Sequence, residues 1–235
     1  MPTFMEEIHQ HVRTLTRFVY VVTEEEDVFL VELNRLLQNE KSRIQVFNPT
    51  LGLIPINTYL EDWKCRAHQP DMQTVDVNQA LVKIFQEDPQ DATNFYVILD
   101  PDRYLTRDPH VIRRFLNLAH QSHQDIRAVK MYFLVSNRPT IPDKLSRYVT
   151  VVRDKGMTDP QIEQHVEQIC SHLKREPPAG MVKHFRGLSR FQIGAAIAES
   201  IIKTKQDPKA PKRIDPKLIA EFKFIEFIKL VAEFK

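Results

Sequence analysis

The sequence predicts an α/β fold, with a mainly parallel sheet flanked by helices and a small all-helical part after it. Three observations predict this class. Continuous apolar runs rich in β-branched and aromatic residues are typical of strands that are buried on both faces of a parallel sheet. Segments with apolar residues at helical spacing separate these runs. After residue 154 the strand pattern stops and only helical patterns continue.

Each element of the first 154 residues is predicted from a local pattern. The predicted strands are 18–22, 44–47, 95–99, 129–135 and 148–152. The predicted helices are 4–14, one that opens after Thr23, 76–85 and 109–120, with a turn at 48–52 and a loop with short helical pieces over 55–73. Thr23 lies three residues before Glu26, and this spacing predicts a capping box at the start of the second helix.

The remainder of the chain divides into two further parts. Helical patterns begin at Asp159-Pro160, near 180–186 and at 189–204, and they predict a helical part over 155–204. Residues 205–235 are predicted to be a basic linker and an amphipathic C-terminal helix. The predicted organisation is therefore an α/β domain over 1–154, a helical part over 155–204 and the tail over 205–235.

Composition excludes several classes of protein. The chain has 235 residues, with 33 Lys and Arg against 31 Asp and Glu, so its net charge of +2 indicates no global preference for nucleic acid or membrane. Its two cysteines are far apart in sequence, which excludes a disulfide-dense secreted scaffold. No apolar run approaches the roughly 20 residues that cross a bilayer, and the N-terminal residues have no signal core. These observations predict a cytoplasmic protein without a membrane partner.

Glycine is scarce, and this scarcity limits the chemistry. The five glycines are too far apart to form a phosphate-binding loop, and both the G-x-x-x-x-G-K-[ST] and the G-x-G-x-x-G patterns are absent. The sequence therefore predicts no nucleotide cofactor.

Three stretches resemble the AAA-type ATPases, which have a RecA-like sheet and a helical lid. The stretch Phe-Tyr-Val-Ile-Leu-Asp over 95–100 is similar to a Walker B strand. The stretch Tyr-Phe-Leu-Val-Ser-Asn-Arg-Pro over 132–139 is similar to the sensor-1 strand of that family, with Asn137 at the sensor position. The stretch 187–196 is similar to the first part of a lid helix. The resemblance implies an AAA-type domain over 1–154 and a lid over 155–204.

The sequence departs from active members of this family at three positions. Thr-Glu-Glu-Glu-Asp over 23–27 stands where the glycine-rich loop and its lysine hold phosphates. Asp100 and Asp102 are a vestigial Walker B pair, because Pro101 replaces the Glu that activates water in active members. Active members have a pair of arginines after the sensor strand that reaches the nucleotide of a neighbouring module. In this sequence, only Arg147 lies near that position.

These departures predict a degenerate, non-catalytic module rather than an enzyme. It most resembles the inactive first module of tandem AAA proteins found in cyanobacteria, chloroplasts and some phages. The resemblance implies a role in protein assembly or recognition, in which the module docks on an active ATPase module or on itself. An enzyme with unrecognised chemistry is a third hypothesis, but no convergent pair of nucleophile and base supports it.

The alternative is a DNA-handling subunit, similar to the clamp-loader subunits that lack the phosphate loop. A local excess of positive charge near the linker supports this alternative. Its candidate nucleic-acid ligands are Lys203, Lys205, Lys209, Lys212 and Arg213. A solvated linker explains the same charges.

Other chemistry-bearing residues have simpler explanations. His120 and His123 are three apart at a helix end, but the sequence predicts no metal site because no further ligands converge there. Cys65 and His68 lie in a polar stretch without an oxyanion-type glycine, so catalysis there is not expected. Cys170 lies on the apolar side of its helix and is predicted to be a core residue.

Overall fold

The chain forms two compact units, Met1–Asp154 and Lys155–Lys235. The computed structural model describes residues 3–38, 42–65, 70–87, 93–106, 108–121, 129–178, 180–204 and 214–232. The first unit is an α/β domain and the second is helical.

The first unit alternates strands with helices along the described chain. Its strands are β1 (Phe18–Val22), β2 (Ser42–Asn48), β3 (Gly52–Pro55), β4 (Thr93–Leu99), β5 (Lys130–Ser136) and β6 (Val149–Arg153). Its helices are α1 (Phe4–Arg13), α2 (Glu26–Leu37), α3 (Ile56–Cys65), α4 (Val77–Gln86), α5 (Asp102–Leu105), α6 (Pro109–Gln121) and α7 (Asp143–Ser146). This alternation confirms the predicted fold class.

The described strands form one sheet in the order β3-β2-β4-β5-β1-β6. Every pairing between neighbours is parallel except that of β2 with β3, which form an antiparallel hairpin. Because β1, β4 and β5 are parallel, their carboxyl ends lie along the same edge of the sheet. Ligands of open α/β sheets bind outside this edge.

Both faces of the sheet are buried, as the continuous apolar runs predict. One face packs against α1, α2 and the first residue of α3, with Val21, Phe29 and Phe133 in its core. The other face packs against α4 and α6, with Tyr20, Tyr96 and Tyr132 in its core. On that second face, the rings of Phe18 and Tyr132 stack at 4.5 Å and those of Tyr132 and Tyr96 at 5.6 Å, so an aromatic row crosses three strands.

Two local expectations for this unit were wrong. The predicted capping box does not form, because α2 begins only at Glu26, after the N-cap residue Glu25, whose side chain makes no capping hydrogen bond. The segment 55–73, predicted as a loop with short helical pieces, contains the ten-residue helix α3, and β3 was not predicted. Gly52 permits the turn into β3 with φ of +79°, and a Cβ there would lie 2.7 Å from the Asp71 carbonyl oxygen.

The described part of the second unit consists of helices α8 (Asp159–His172), α9 (Met181–Phe185), α10 (Arg190–Thr204) and α11 (Pro216–Ala232). Thr158 and Gln161 form a capping box at the start of α8. Cys170 is buried in the core of this unit, which confirms its predicted role. Ile219 of α11 is buried in the same core as Ile193 of α10, so the C-terminal helix packs within this unit.

Candidate functional site

The carboxyl edge of the sheet brings together three of the stretches singled out by the sequence. Backbone hydrogen bonds fix them side by side. The Thr23 N–H donates to the Ser136 carbonyl at 3.1 Å, which joins the β1–α2 connection to the end of β5. The Asp100 N–H donates to the Val135 carbonyl at 3.0 Å, which joins the end of β4 to the end of β5. The Asp154 N–H donates to the Val22 carbonyl at 2.8 Å. The structure therefore places the acidic β1–α2 connection, the Walker B-like strand end and the sensor-1-like turn at one edge.

The connection between β1 and α2 is held by its own side chains. The buried Thr23 hydroxyl donates to Asp154 Oδ2 at 3.0 Å and accepts the Glu25 N–H at 3.0 Å. This connection spans only residues 23–25 and contains neither glycine nor lysine. Thr23 thus stabilises a tight turn instead of the capping box expected from its spacing to Glu26.

Glu26 is one of the half-buried carboxyl groups of this edge. Burial, the charge of Asp100 and the charge of Asp27 together raise the pKa of Glu26 from 4.5 to about 7, although a hydrogen bond from Tyr59 opposes the rise. Tyr59 also accepts a hydrogen bond from Asn48 Nδ2 at 3.5 Å. Glu26 therefore interacts with Tyr59 of α3, which in turn contacts the end of β2.

Asp100 lies directly after β4 in a left-handed backbone conformation, with φ of +51°. Asp tolerates this region better than most residues because of its short polar side chain. Its carboxylate lies 3.8 Å from the Arg103 guanidinium. Asp102 begins the short helix α5 after the buried Pro101. Burial raises the pKa of the Tyr20 hydroxyl, and the charges of both aspartates raise it further.

Tyr20 stabilises the sensor-1-like turn through hydrogen bonds to its backbone. Its hydroxyl donates to the Arg138 carbonyl at 3.1 Å and accepts the Thr140 N–H at 3.3 Å. Ser136 closes the same turn, because its hydroxyl lies 2.6 Å from the Arg138 carbonyl and accepts the Arg138 N–H at 3.0 Å. We call residues 136–140 the sensor turn. Asn137 is exposed at its start.

Tyr20 is a residue of this site that was not predicted from the sequence. The signal was present, because a hydroxyl in the middle of an apolar strand must find a hydrogen-bond partner when it is buried. The Tyr20 side chain is fully buried, and the sensor turn supplies the partners.

Arg147 follows α7 and lies against the neighbouring Tyr148. It is exposed, and its guanidinium carbon lies 4.9 Å from the centre of the Tyr148 ring. The neighbouring Leu145 of α7 is buried in the core of the first unit.

The candidate nucleic-acid ligands are only partly described. Lys203 Nζ pairs with Glu199 at 2.9 Å and with Glu221 at 3.6 Å, so acidic neighbours offset its charge. Lys205, Lys209, Lys212 and Arg213 lie outside the described residues, as do His68 and His123. Binding of nucleic acid stays a prediction.

The described residues contain no group of three or more His, Cys, Asp or Glu side chains arranged to hold a metal ion. None of the helices in this part of the chain is long and apolar enough to cross a lipid bilayer.

Comparison with known proteins gives a family and a fold. The family described as "SpoVK-like AAA ATPase, N-terminal domain" matches residues 4–153, and no curated protein matches the chain. The AAA-type fold also appears in solved structures. The Escherichia coli MS115-1 HORMA:CdnC:Trip13 complex contains a chain with 11% identity and a TM-score of 0.56, over 90% of this chain and 75% of that one.

A second solved structure has the same fold. The RuvB Holliday junction branch migration motor of Thermotoga maritima has 10% identity and a TM-score of 0.52, over 94% of this chain and 69% of that one. At such identities these two structures show the fold alone. The family match covers most of the chain, and it coincides with the α/β unit whose edge is described above. The chain therefore belongs to the family of SpoVK-like AAA ATPase N-terminal domains.

Proposed function

We propose that this chain is a non-catalytic AAA-like module that acts in protein assembly or recognition, docking on an active ATPase module or on itself. The observation that carries the proposal is the half-buried Glu26 beside Asp100 at the start of α2. In active members of the family, this is where a nucleotide places its phosphates.

Electrostatics argues against a polyphosphate at this edge. The N-terminus of a helix attracts anions because its free N–H groups and dipole are positive. Here Asp27 provides negative charge in the first turn of α2 and Asp100 adds a second carboxylate nearby, while Glu26, with a pKa of about 7, is partly ionised at neutral pH. A triphosphate would meet carboxylates where it needs backbone N–H groups and a lysine.

The Walker B-like strand end also lacks a group for hydrolysis. Pro101 follows Asp100 and has no side-chain base, and Asp102 begins a separate helix. The activation of an attacking water needs a positioned acceptor within hydrogen-bond reach. The same edge would therefore lack both the phosphate ligands and the base.

A module that keeps this fold without its chemistry still presents an ordered surface. Hydrogen bonds inside the protein hold the β1–α2 connection and the sensor turn, so their shape needs no nucleotide. Such a preformed surface suits the docking of another protein, because less ordering is required on association.

Calorimetric titration of the purified chain with ATP and ADP in the presence of Mg²⁺ tests the catalytic part of the proposal. We expect no saturable binding, both in the chain and in the variant Glu26→Gln. This variant removes the negative charge but restores neither the glycines nor the lysine of a phosphate loop. A micromolar affinity of the unmodified chain for either nucleotide would refute the proposal.

A further inference from the structure

Helix α10 has a second apolar face that its own unit leaves uncovered. One face packs into the helical core through Ile193, Ala196 and Ile197. On the opposite side, the Phe191 side chain is 84% exposed and the Ile202 side chain is 63% exposed. These are large apolar groups whose contact with water is unfavourable.

The uncovered residues lie on a single line along the helix. Phe191 and Ile202 are eleven residues apart, which is three turns at 3.6 residues per turn. Ala195 and Ala198 lie between them, within about 60° of the same direction around the axis. Ala195 is half-buried and Ala198 is exposed. We call these four residues the α10 stripe.

The order of side-chain sizes along the stripe is the same in both directions: large, small, small, large. When two such helices run antiparallel about a two-fold axis, Phe191 of one lies opposite Ile202 of the other. The same register places Ala195 opposite Ala198. The alanines in the middle let the two helix backbones approach closely, while the large residues at each end pack against each other. A two-fold interface requires this kind of self-complementary surface.

The charges beside the stripe also suit an identical partner. Glu199 and Lys203 border it, and their side chains pair with each other at 2.9 Å within the same helix. Charges neutralised in this way neither repel a second copy nor attract an anionic surface such as nucleic acid or lipid headgroups.

We propose that the α10 stripe is the contact through which two copies of this chain associate, antiparallel and about a two-fold axis. This inference rests on the proposed function, because it names self-association as the form that docking takes and α10 as its place.

Sedimentation equilibrium of the full chain measures the association. We expect the unmodified chain to dimerise, and we expect Ala198→Glu to weaken dimerisation at least about tenfold, since it places two carboxylates at the centre of the contact. Phe191→Ser should weaken it as well. Phe224→Ser is the matched control, because Phe224 is also a strongly exposed aromatic residue, 64% exposed, but lies on α11.

Disulfide formation tests the register without relying on a loss of association. In a Cys65→Ser background, a mixture of the variants Ala195→Cys and Ala198→Cys should cross-link faster than either variant alone, because the two positions face each other across the axis. Cys170 is buried and should not interfere.

Two results would overturn the inference. One is a chain that stays monomeric at high concentration, and the other is a dimer that Phe224→Ser disrupts while Ala198→Glu and Phe191→Ser leave it intact. Neither result bears on nucleotide binding. Failure of the proposed function would instead appear as Mg-ATP binding in the calorimetric titration.

Discussion

Replacement of Glu26 by glutamine should stabilise the protein at pH 8 and leave its stability almost unchanged near pH 4.5. The folded state raises the pKa of Glu26 from 4.5 to about 7, so it resists ionisation of this group. Below pH 4.5 the carboxyl is protonated in both the folded and the unfolded state. Between pH 4.5 and 7 the folded state binds more protons, so the free energy of unfolding falls as the pH rises. Above about pH 7 the loss is complete.

The size of the effect follows from this difference in pKa. At about 1.4 kcal/mol per pKa unit, the rise from 4.5 to about 7 means that ionised Glu26 costs the folded state at most about 3.5 kcal/mol. The side chain keeps some contact with solvent, which screens its charge, so we expect on the order of 1–3 kcal/mol. Glutamine preserves the shape of the side chain and can still accept the hydrogen bond from Tyr59, but it carries no charge.

Urea unfolding at pH 5, 6, 7 and 8 measures the effect. The only tryptophan of the chain, Trp63, lies on α3, so its fluorescence follows the unit that contains Glu26. The informative quantity is the difference between Glu26→Gln and the unmodified chain, because other titrating groups cancel in it. Glu24→Gln is the control, since Glu24 is an exposed carboxylate of the same segment and is not among the charges that raise the pKa of Glu26. A constant difference from pH 5 to pH 8, or a loss of stability in Glu26→Gln at pH 8, would refute the reasoning.

Three further changes should have distinct effects on unfolding. Asp100→Asn removes a charge that raises the pKa of Glu26, so the pH-dependent loss of stability should become smaller in the same urea series. Tyr20→Phe removes the hydroxyl that holds the sensor turn and should cost about 1–3 kcal/mol, with faster amide exchange confined to 136–140 at first. Lys130→Met removes a buried ammonium that donates to the last carbonyls of α4, so urea unfolding should show a loss of about 1–3 kcal/mol; equal stability would contradict that role.

The fold was predictable because its main signals are local. Runs such as 18–22 and 95–99 are apolar throughout, and only a strand buried on both faces explains them over so short a length. β3 was missed because it has four residues, one of them proline, and forms through pairing with β2. The only local sign of that hairpin is Gly52, at which a side chain would meet the Asp71 carbonyl.

The candidate site was predictable in composition but not in geometry. The sequence shows four carboxylates over 24–27, yet only the fold separates the half-buried Glu26 from the exposed Glu24 and Asp27. The groups that set the pKa of Glu26 include Tyr59 and Asp100, which are distant along the chain and meet it through packing. Long-range neighbours of this kind leave no periodicity that a sequence pattern could reveal.

The hydroxyl of Tyr20 has a consequence for how the module responds to its surroundings. Many loops at the carboxyl edge of α/β sheets become ordered only when a phosphate contacts them, so their shape reports which nucleotide is present. Here the hydroxyl of Tyr20 on β1 makes hydrogen bonds to the backbone of the sensor turn, so the protein itself holds the turn. We therefore expect the shape of this surface to be independent of the ATP concentration in the cell, so that a partner protein would meet the same surface under all energy conditions.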